Sequence, residues 1–247
     1  MLYGIRLSAD SDYAAQYNSV DTFDAYGLAL AFDGLEISEP QIRTDYKTVR
    51  GLDGVLDVSD APQGYPTFEN RTLKFKLFHS PPFMDWDIAA LQQLRTTFMA
   101  RWQGRRVRIT LPDDTERYWV GRLAVGPLEA GSGLLECEAV VYPYKLKNAE
   151  TTVTITDLTT SYKTYTLQNE RRFVVPTITV AQHTYIQFLQ GPLGVPPVVG
   201  LSVPDGQTSA SFRLPDTLLV DGTNQFQAKL AASGTNSLII TYREGTF

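Results

Sequence analysis

Apolar and polar residues alternate along most of the chain, as is typical of strands that bury one face. Residues 26–32 alternate in this way, with Leu28, Leu30 and Phe32 on one face, and the Asp33-Gly34 pair after them predicts a hairpin turn. Four further segments of the first half show the same alternation: 72–78, 107–111, 118–125 and 134–142. These patterns predict a β-rich first half.

One segment has helical periodicity instead. Its apolar residues recur three or four positions apart between 85 and 103, at Ile88, Leu91, Leu94, Phe98 and Trp102. Asp85 is a candidate N-cap, and Gly104 stands where a C-terminal cap belongs. We expect one long helix whose apolar stripe packs on a sheet, in preference to a stripe that contacts a cofactor.

The second half carries strand signals and no helical pattern. Turn-forming pairs such as Asp205-Gly206, Asp221-Gly222 and Ser233-Gly234 separate short apolar runs. Seven strands are predicted: 153–155, 173–180, 185–188, 209–214, 217–220, 226–230 and 238–242. The pattern indicates an antiparallel β-sandwich at 147–247, after a first domain at 1–146 that includes the helix.

Composition excludes several classes of protein. The chain has 247 residues with 43% hydrophobic content, enough for a packed core, and its net charge of −5 argues against binding to nucleic-acid phosphates. It has one cysteine, Cys137, on an apolar strand face, which favours a buried and inert thiol. No signal peptide or membrane-spanning run is present in the sequence, so we expect no membrane insertion.

Candidate catalytic and metal-binding residues do not form a recognisable site. His79 and His183 lie in different predicted domains and have no ligand spacing with Cys137, and the nucleophile-elbow motif G-x-S-x-G is missing. Carboxylate pairs occur at Asp10/Asp12, Asp113/Asp114 and Glu136/Glu138, in turns or on outward strand faces. We predict no catalytic residue, no cofactor and no metal, and therefore no enzyme.

A basic cluster stands out in an otherwise acidic chain. It consists of Arg101, Arg105, Arg106 and Arg108. We expect it to face protein, or to pair with acidic residues across the following hairpin, and not to hold DNA. The candidate acidic partners are Asp113, Asp114 and Glu116.

The segment 35–64 is extended and too polar to form a core element. Ile42 and Tyr46 are its main apolar residues, and charged residues alternate with them. We therefore expect this segment to contact a neighbouring subunit, with Ile42, Arg43, Tyr46 and Lys47 as the candidate interface residues.

A series of glycines and polar residues in and around this segment resembles the distal tail protein family of long-tailed phages. The matching residues of the first half are Gly51, Asp53, Gly54, Leu56, Asp57, Gly64, Asn70, Arg71, Pro143, Tyr144 and Lys145. Weaker matches follow at Asn169, Pro176, 212–216, Gly222, Asn224 and 242–247. Residues 1–25 match poorly, and we interpret them as a variable extension.

The resemblance implies a structural virion protein at the distal end of a phage tail, made in the cytoplasm of a bacterial host. A tail-tube-like first domain would build a homohexameric ring between the tail tube protein and the tail-tip hub or tail-associated protein. Phage DNA would pass through the ring in transit only, and the tape measure and receptor-binding proteins are further possible partners. The second domain would be a galectin-like sandwich, which leaves open an alternative function as a carbohydrate-binding adhesion module.

Overall fold

The computed structural model describes residues 2–10, 19–51, 53–60, 66–79, 87–129, 132–170, 174–189, 195, 197–214, 218–234 and 237–246. In this part the chain is mainly β, with antiparallel sheets and two helices, as the sequence predicts. It divides into two compact units, one from 1–43 and 68–148, the other from 44–67 and 149–246. The assignment of 1–146 and 147–247 as independent domains stays a prediction.

The elements up to residue 147 are β1 (Arg6–Ala9), β2 (Val20–Asp21), α1 (Thr22–Tyr26), β3 (Leu28–Ile37), β4 (Tyr46–Lys47), β5 (Leu56–Asp57), β6 (Arg71–His79), α2 (Ile88–Trp102), β7 (Arg106–Leu111), β8 (Asp114–Glu129), β9 (Leu134–Val141) and β10 (Lys145–Lys147). The later elements are β11 (Thr151–Ile155), β12 (Lys163–Asn169), β13 (Thr177–Val180), β14 (Thr184–Phe188), β15 (Val199–Leu201), β16 (Ala210–Arg213), β17 (Gly222–Leu230), β18 (Leu238–Tyr242) and β19 (Gly245–Thr246).

The first unit is built on one antiparallel sheet in the order β2-β1-β7-β8-β9-β6-β3, with β10 paired to β8. Alternation places Phe75, Cys137 and Val125 at matching positions of β6, β9 and β8, where all three are buried. Phe98 and Trp102 of α2 are fully buried in the same core. The predicted packing of the helix on a sheet is therefore confirmed.

Helix α2 begins later than the sequence suggests. The side chain of Asp87 caps it by accepting a hydrogen bond from the Ala89 amide at 2.9 Å, whereas the predicted cap, Asp85, lies outside the described residues. At the other end Gln103 is the cap, and Gly104 follows with φ of 70°. Ile88 is 56% exposed, so it does not belong to the buried stripe.

The predicted hairpin at Asp33-Gly34 is wrong. Strand β3 continues through these residues as a β-bulge, because its register on β6 shifts between Leu30 and Leu35. Asp33 adopts the left-handed conformation, with φ of 57°. The bulge places Phe32 on the outside with 96% of its surface exposed, and not on the face of Leu28 as expected.

The N-terminal residues are part of the core and not an appended extension. Ile5 and Leu7 are fully buried, and β1 pairs with β7. The short helix α1, which the sequence did not predict, is capped by Asp21 at one end and by Gly27, with φ of 66°, at the other. Residues 11–18, including Asp12 of one carboxylate pair, lie outside the described part of the chain.

The larger part of the second unit is a pair of antiparallel sheets, in the orders β11-β18-β13-β16 and β12-β17-β14-β15. Their inward residues, such as Ile178, Ile240, Ile186 and Phe226, form one buried core, which is the arrangement of a β-sandwich. Strands β12 and β15 were missed. The predicted strand 217–220 is reduced to an isolated bridge between Leu219 and Val174 over the described residues.

No helix in the described part of the chain is long and apolar enough to cross a membrane. Cys137 is buried as predicted, and burial raises the pKa of its thiol to about 12.

Candidate functional site

The polar segment between β3 and β6 contains a small antiparallel hairpin. Tyr46 and Lys47 of β4 pair with Asp57 and Leu56 of β5. Every described side chain from 41 to 57 is exposed, and we call residues 38–72 the arm. Large apolar side chains of the arm that are 43–59% exposed are Ile42, Tyr46, Val49, Val55 and Leu56.

Glycines shape the tip of the arm. Gly51 and Gly54 have φ of 85° and 88°, conformations that other residues rarely adopt, and a Cβ on either would meet open space. Backbone conformation, and not packing, is therefore the reason for glycine at these two positions. Asp53 lies between them and is exposed, and Gly64 falls outside the described residues.

Asp57 stabilises the return of the arm. Its carboxylate accepts hydrogen bonds from the amide and hydroxyl of Ser59, and these bonds lower the pKa of Asp57. The Ser59 hydroxyl in turn accepts a bond from the Asp45 amide at 2.8 Å, and the Val58 amide donates to the Asp45 carbonyl at 2.9 Å. The motif aspartate thus links the two strands of the hairpin.

The arm is anchored at its base by Arg71. This arginine is only 7% exposed, its Nε donates to the Ser38 carbonyl at 2.6 Å, and its guanidinium lies 4.9 Å from the centre of the Trp119 ring. Ser38 also exchanges backbone and side-chain hydrogen bonds with Thr72. Burial lowers the pKa of Arg71, while the charge of Glu39 acts in the opposite direction.

The second part of the motif lies on the same tryptophan. The Lys145 ammonium is 5.9 Å from the centre of the Trp119 ring and 3.2 Å from the Asp114 carboxylate. Tyr144 makes an edge-to-face contact with Phe68, with 6.4 Å between ring centres, and Pro143 is buried. Motif residues 75 positions apart in the chain therefore meet at the base of the arm. Asn70 is exposed beside them.

The candidate interface residues take two positions along the arm. Ile42 lies at the base, where it forms a bridge with Phe68, and the Glu69 amide donates to the Gln41 carbonyl at 2.8 Å. Tyr46 and Lys47 lie in β4, further along, and Arg43 is between these positions. All four candidates are exposed, so the structure leaves them accessible to a partner.

The basic cluster pairs with a residue that the sequence did not suggest. Asp10 accepts hydrogen bonds at 2.8 Å from Nε of both Arg106 and Arg108. Asp114, one of the expected partners, instead contacts Lys145 and Arg117. The expectation that this cluster pairs with acidic residues holds for these two arginines, but the carboxylate comes from β1's end and not from the hairpin.

The remaining chemical candidates have structural roles. Glu136 forms an ion pair of 3.0 Å with Lys76 across two strands, and this hydrogen bond raises the pKa of Lys76. No group of three metal-binding side chains occurs among the residues that the structure describes. The largest cavity near these residues, about 480 Å³, is an open groove on the sheet lined by Lys74, Lys76, Glu136 and Glu138 among others. Sequence periodicity gave no sign of this groove.

No protein-family model matches the chain. No curated protein sequence matches it either. Among solved structures, the chain is similar to the crystal structure of the Dit (gp 19.1) protein of phage SPP1, described as a paradigm of the hub adsorption apparatus in phages that infect Gram-positive bacteria. The TM-score is 0.64 at 16% sequence identity, and the match covers 98% of this chain and 99% of the SPP1 protein. The resemblance in the sequence is thus confirmed at the level of the fold: the chain shares the fold of the SPP1 Dit protein over nearly its whole length.

Proposed function

We propose that this chain is a distal tail protein, a structural subunit of a phage tail tip and not an enzyme. The observation that carries the proposal is the shared fold, which extends over both units and leaves almost none of either chain unmatched. The motif residues that suggested the family support it as well, because Arg71, Lys145 and Tyr144 meet at the base of one exposed arm.

The proposed assembly is a closed homohexameric ring. A ring of identical subunits needs two different surfaces that complement each other on every copy. The arm supplies one such surface, since a two-stranded hairpin is marginally stable in isolation and gains order when a neighbour covers it. Its exposed Ile42 and Tyr46 would be the apolar centre of the contact, and Arg43 and Lys47 its charged rim.

The ring would join the tail tube protein to the tail-tip hub and leave a channel for DNA. Six chains with net charge −5 carry about −30 in total, a field that repels DNA on average. Two of the arginines most able to bind phosphate, Arg106 and Arg108, share the Asp10 carboxylate. Both features favour a conduit through which DNA passes without being held.

A charge-insertion pair tests the role of the arm. The double variant Ile42→Lys and Tyr46→Lys places two cations where we propose an apolar contact, at side chains that are each 56% exposed. Because neither side chain is buried within the subunit, the variant should fold normally but fail to assemble. The matched control is Val195→Lys with Val198→Lys, which changes two exposed valines outside the arm.

Light scattering after size-exclusion chromatography distinguishes the outcomes. The proposal predicts that the native chain and the control variant form the ring, while the arm variant elutes as a folded monomer with an unchanged circular dichroism spectrum. Rings formed by the arm variant at native concentration would show that the contact lies elsewhere on the subunit.

A further inference from the structure

A row of aromatic and basic side chains crosses the solvent-facing side of the β12-β17-β14-β15 sheet. Lys229 of β17 lies opposite Tyr185 of β14, which lies opposite Gly200 of β15. The Lys229 ammonium is 5.4 Å from the centre of the Tyr185 ring and 4.5 Å from that of Tyr162. The His183 ring lies 4.9 Å from Tyr185, so that three rings surround one cation.

Gly200 keeps this row open. A Cβ at this position would come within 3.3 Å of both the Tyr185 ring and Nε2 of His183. Its φ is not in the left-handed region, so backbone conformation does not require glycine there. The missing side chain leaves space beside the two rings, at an exposed position of the sheet.

The next row of the sheet carries neutral hydrogen-bonding groups. Gln187 of β14 lies opposite Gln227 of β17, which lies opposite Thr164 of β12. Each amide offers two donors and an acceptor, and each hydroxyl offers one donor and two acceptor lone pairs. Adjacent strands are about 4.8 Å apart, so these groups are spaced at roughly the width of a sugar ring.

Lys229 has no carboxylate partner within 4.0 Å in the described part of the chain, although its side chain is half-buried between two tyrosines. The other lysine of this sheet that lies over a tyrosine is Lys163, which contacts the Tyr165 ring and pairs with Asp157. A half-buried ammonium without an anion is a ready site for one.

We propose that this face, defined by Tyr162, Thr164, His183, Tyr185, Gln187, Gly200, Gln227 and Lys229, binds an anionic saccharide. The C–H face of a pyranose ring stacks beside Tyr185 in the space left by Gly200, because those hydrogens complement the negative face of an aromatic ring. The two glutamines hydrogen-bond the sugar hydroxyls, and Lys229 binds a carboxylate or phosphate on the sugar. This site goes beyond the proposed ring and does not depend on ring formation.

The composition of the face favours a sugar over a protein partner. Its outward positions on β12 and β17 are hydroxyl and amide side chains, with no exposed aliphatic residue among them: Thr164, Thr166, Gln168, Thr223, Gln225 and Gln227. Protein interfaces instead need an apolar centre that is fully desolvated. A polar face with two open tyrosine rings and one free cation matches a hydroxyl-rich anion more closely.

The test uses the full chain on an array of immobilised glycans that contains uronate-bearing, sialylated and phosphodiester-linked saccharides beside their neutral counterparts. The proposal predicts binding to at least one anionic class and weaker binding to its neutral counterpart. Titration calorimetry with the free saccharide of that class should then show a loss of about tenfold in affinity for Lys229→Met, the cost of one charge-assisted contact.

Three variants separate the site from the rest of the surface. Tyr185→Ala and Gly200→Val should each abolish binding, the first by removing the stacking ring and the second by filling the space beside it, while a valine suits the β15 strand. Lys163→Met is the matched control and should bind like the native chain. The proposal is overturned if no anionic glycan on the array is bound, or if Lys163→Met loses as much affinity as Lys229→Met.

Discussion

Replacing Arg71 by methionine tests how the arm is held to the first unit. Methionine keeps the apolar stem of the side chain but removes the guanidinium over Trp119 and the 2.6 Å hydrogen bond to the Ser38 carbonyl. A partly desolvated cation–π contact contributes about 1–2 kcal/mol, and a hydrogen bond from a charged donor about 1.5–3 kcal/mol.

A cost offsets part of this gain, because burial of the guanidinium is itself unfavourable, as the lowered pKa of Arg71 indicates. We therefore expect Arg71→Met to reduce the free energy of unfolding of the first unit by about 2 kcal/mol. At about 2–4 °C for each kcal/mol, the melting temperature should fall by roughly 4–8 °C.

Tryptophan fluorescence during urea unfolding measures this loss directly. All three tryptophans of the sequence precede residue 120, so their emission reports on the first half of the chain. The matched control is Arg213→Met, which alters an exposed arginine of β16 and should change stability by less than about 0.5 kcal/mol. If Arg71→Met unfolds at the native urea concentration, the contacts of Arg71 do not outweigh its burial, and the anchor has been misidentified.

Three further outcomes follow from the same contacts and charges. Asn224→Ala should destabilise the second unit by about 3 kcal/mol, because Asn224 is buried and bonds both the amide and the carbonyl of Val220; the urea midpoint followed by circular dichroism would measure it, and an unchanged midpoint would contradict it. Cys137 binds its proton more tightly when folded, since its pKa is raised from 9.0 to about 12; stability should therefore fall as pH rises through this window, less so in Cys137→Ala, and an equal fall in both chains would exclude the thiol as a cause. The assembled chain should not bind duplex DNA in 0.15 M salt; micromolar binding that Arg105→Glu and Arg106→Glu abolish would show that the basic cluster faces the channel.

Alternation predicted the strands of the first unit well, because each of them buries one face against a single core. Strand β6 shows the reason: Leu73, Phe75 and Leu77 are fully buried, while Lys74 and Lys76 face outward. The sequence failed at Asp33, since an Asp-Gly pair suits a hairpin turn and a bulge equally well. Only the pairing of β3 with β6, which joins residues about 40 positions apart, decides between them.

In the second unit the missed strand β12 is rich in threonine and other polar residues. Its outward face is polar and its inward face carries Tyr165, Leu167 and Asn169, so the apolar signal is diluted. The buried Asn169 bonds backbone carbonyls of Leu219 and Val220, a partnership that no local pattern reveals. The chain positions of strands could be predicted from the sequence, but contacts made by polar side chains over long separations could not.

The arm shows the same division. Its exposure was predicted from its polarity, and the two glycines of its tip from the need for positive φ. The anchor of Arg71 on Trp119 was not, because the two residues are 48 positions apart and lie on strands that are not sequence neighbours. The same holds for Asp10, which meets Arg106 across a separation of 96 residues.

The stoichiometry of the native chain tests the central claim most directly. Native mass spectrometry over a range of protein concentrations, with images of the same sample by electron microscopy, would count the subunits and show whether they close. The account predicts a closed ring of six chains. A chain that stays strictly monomeric at the highest concentration, and that forms no six-fold ring in an assembled tail tip, would contradict it.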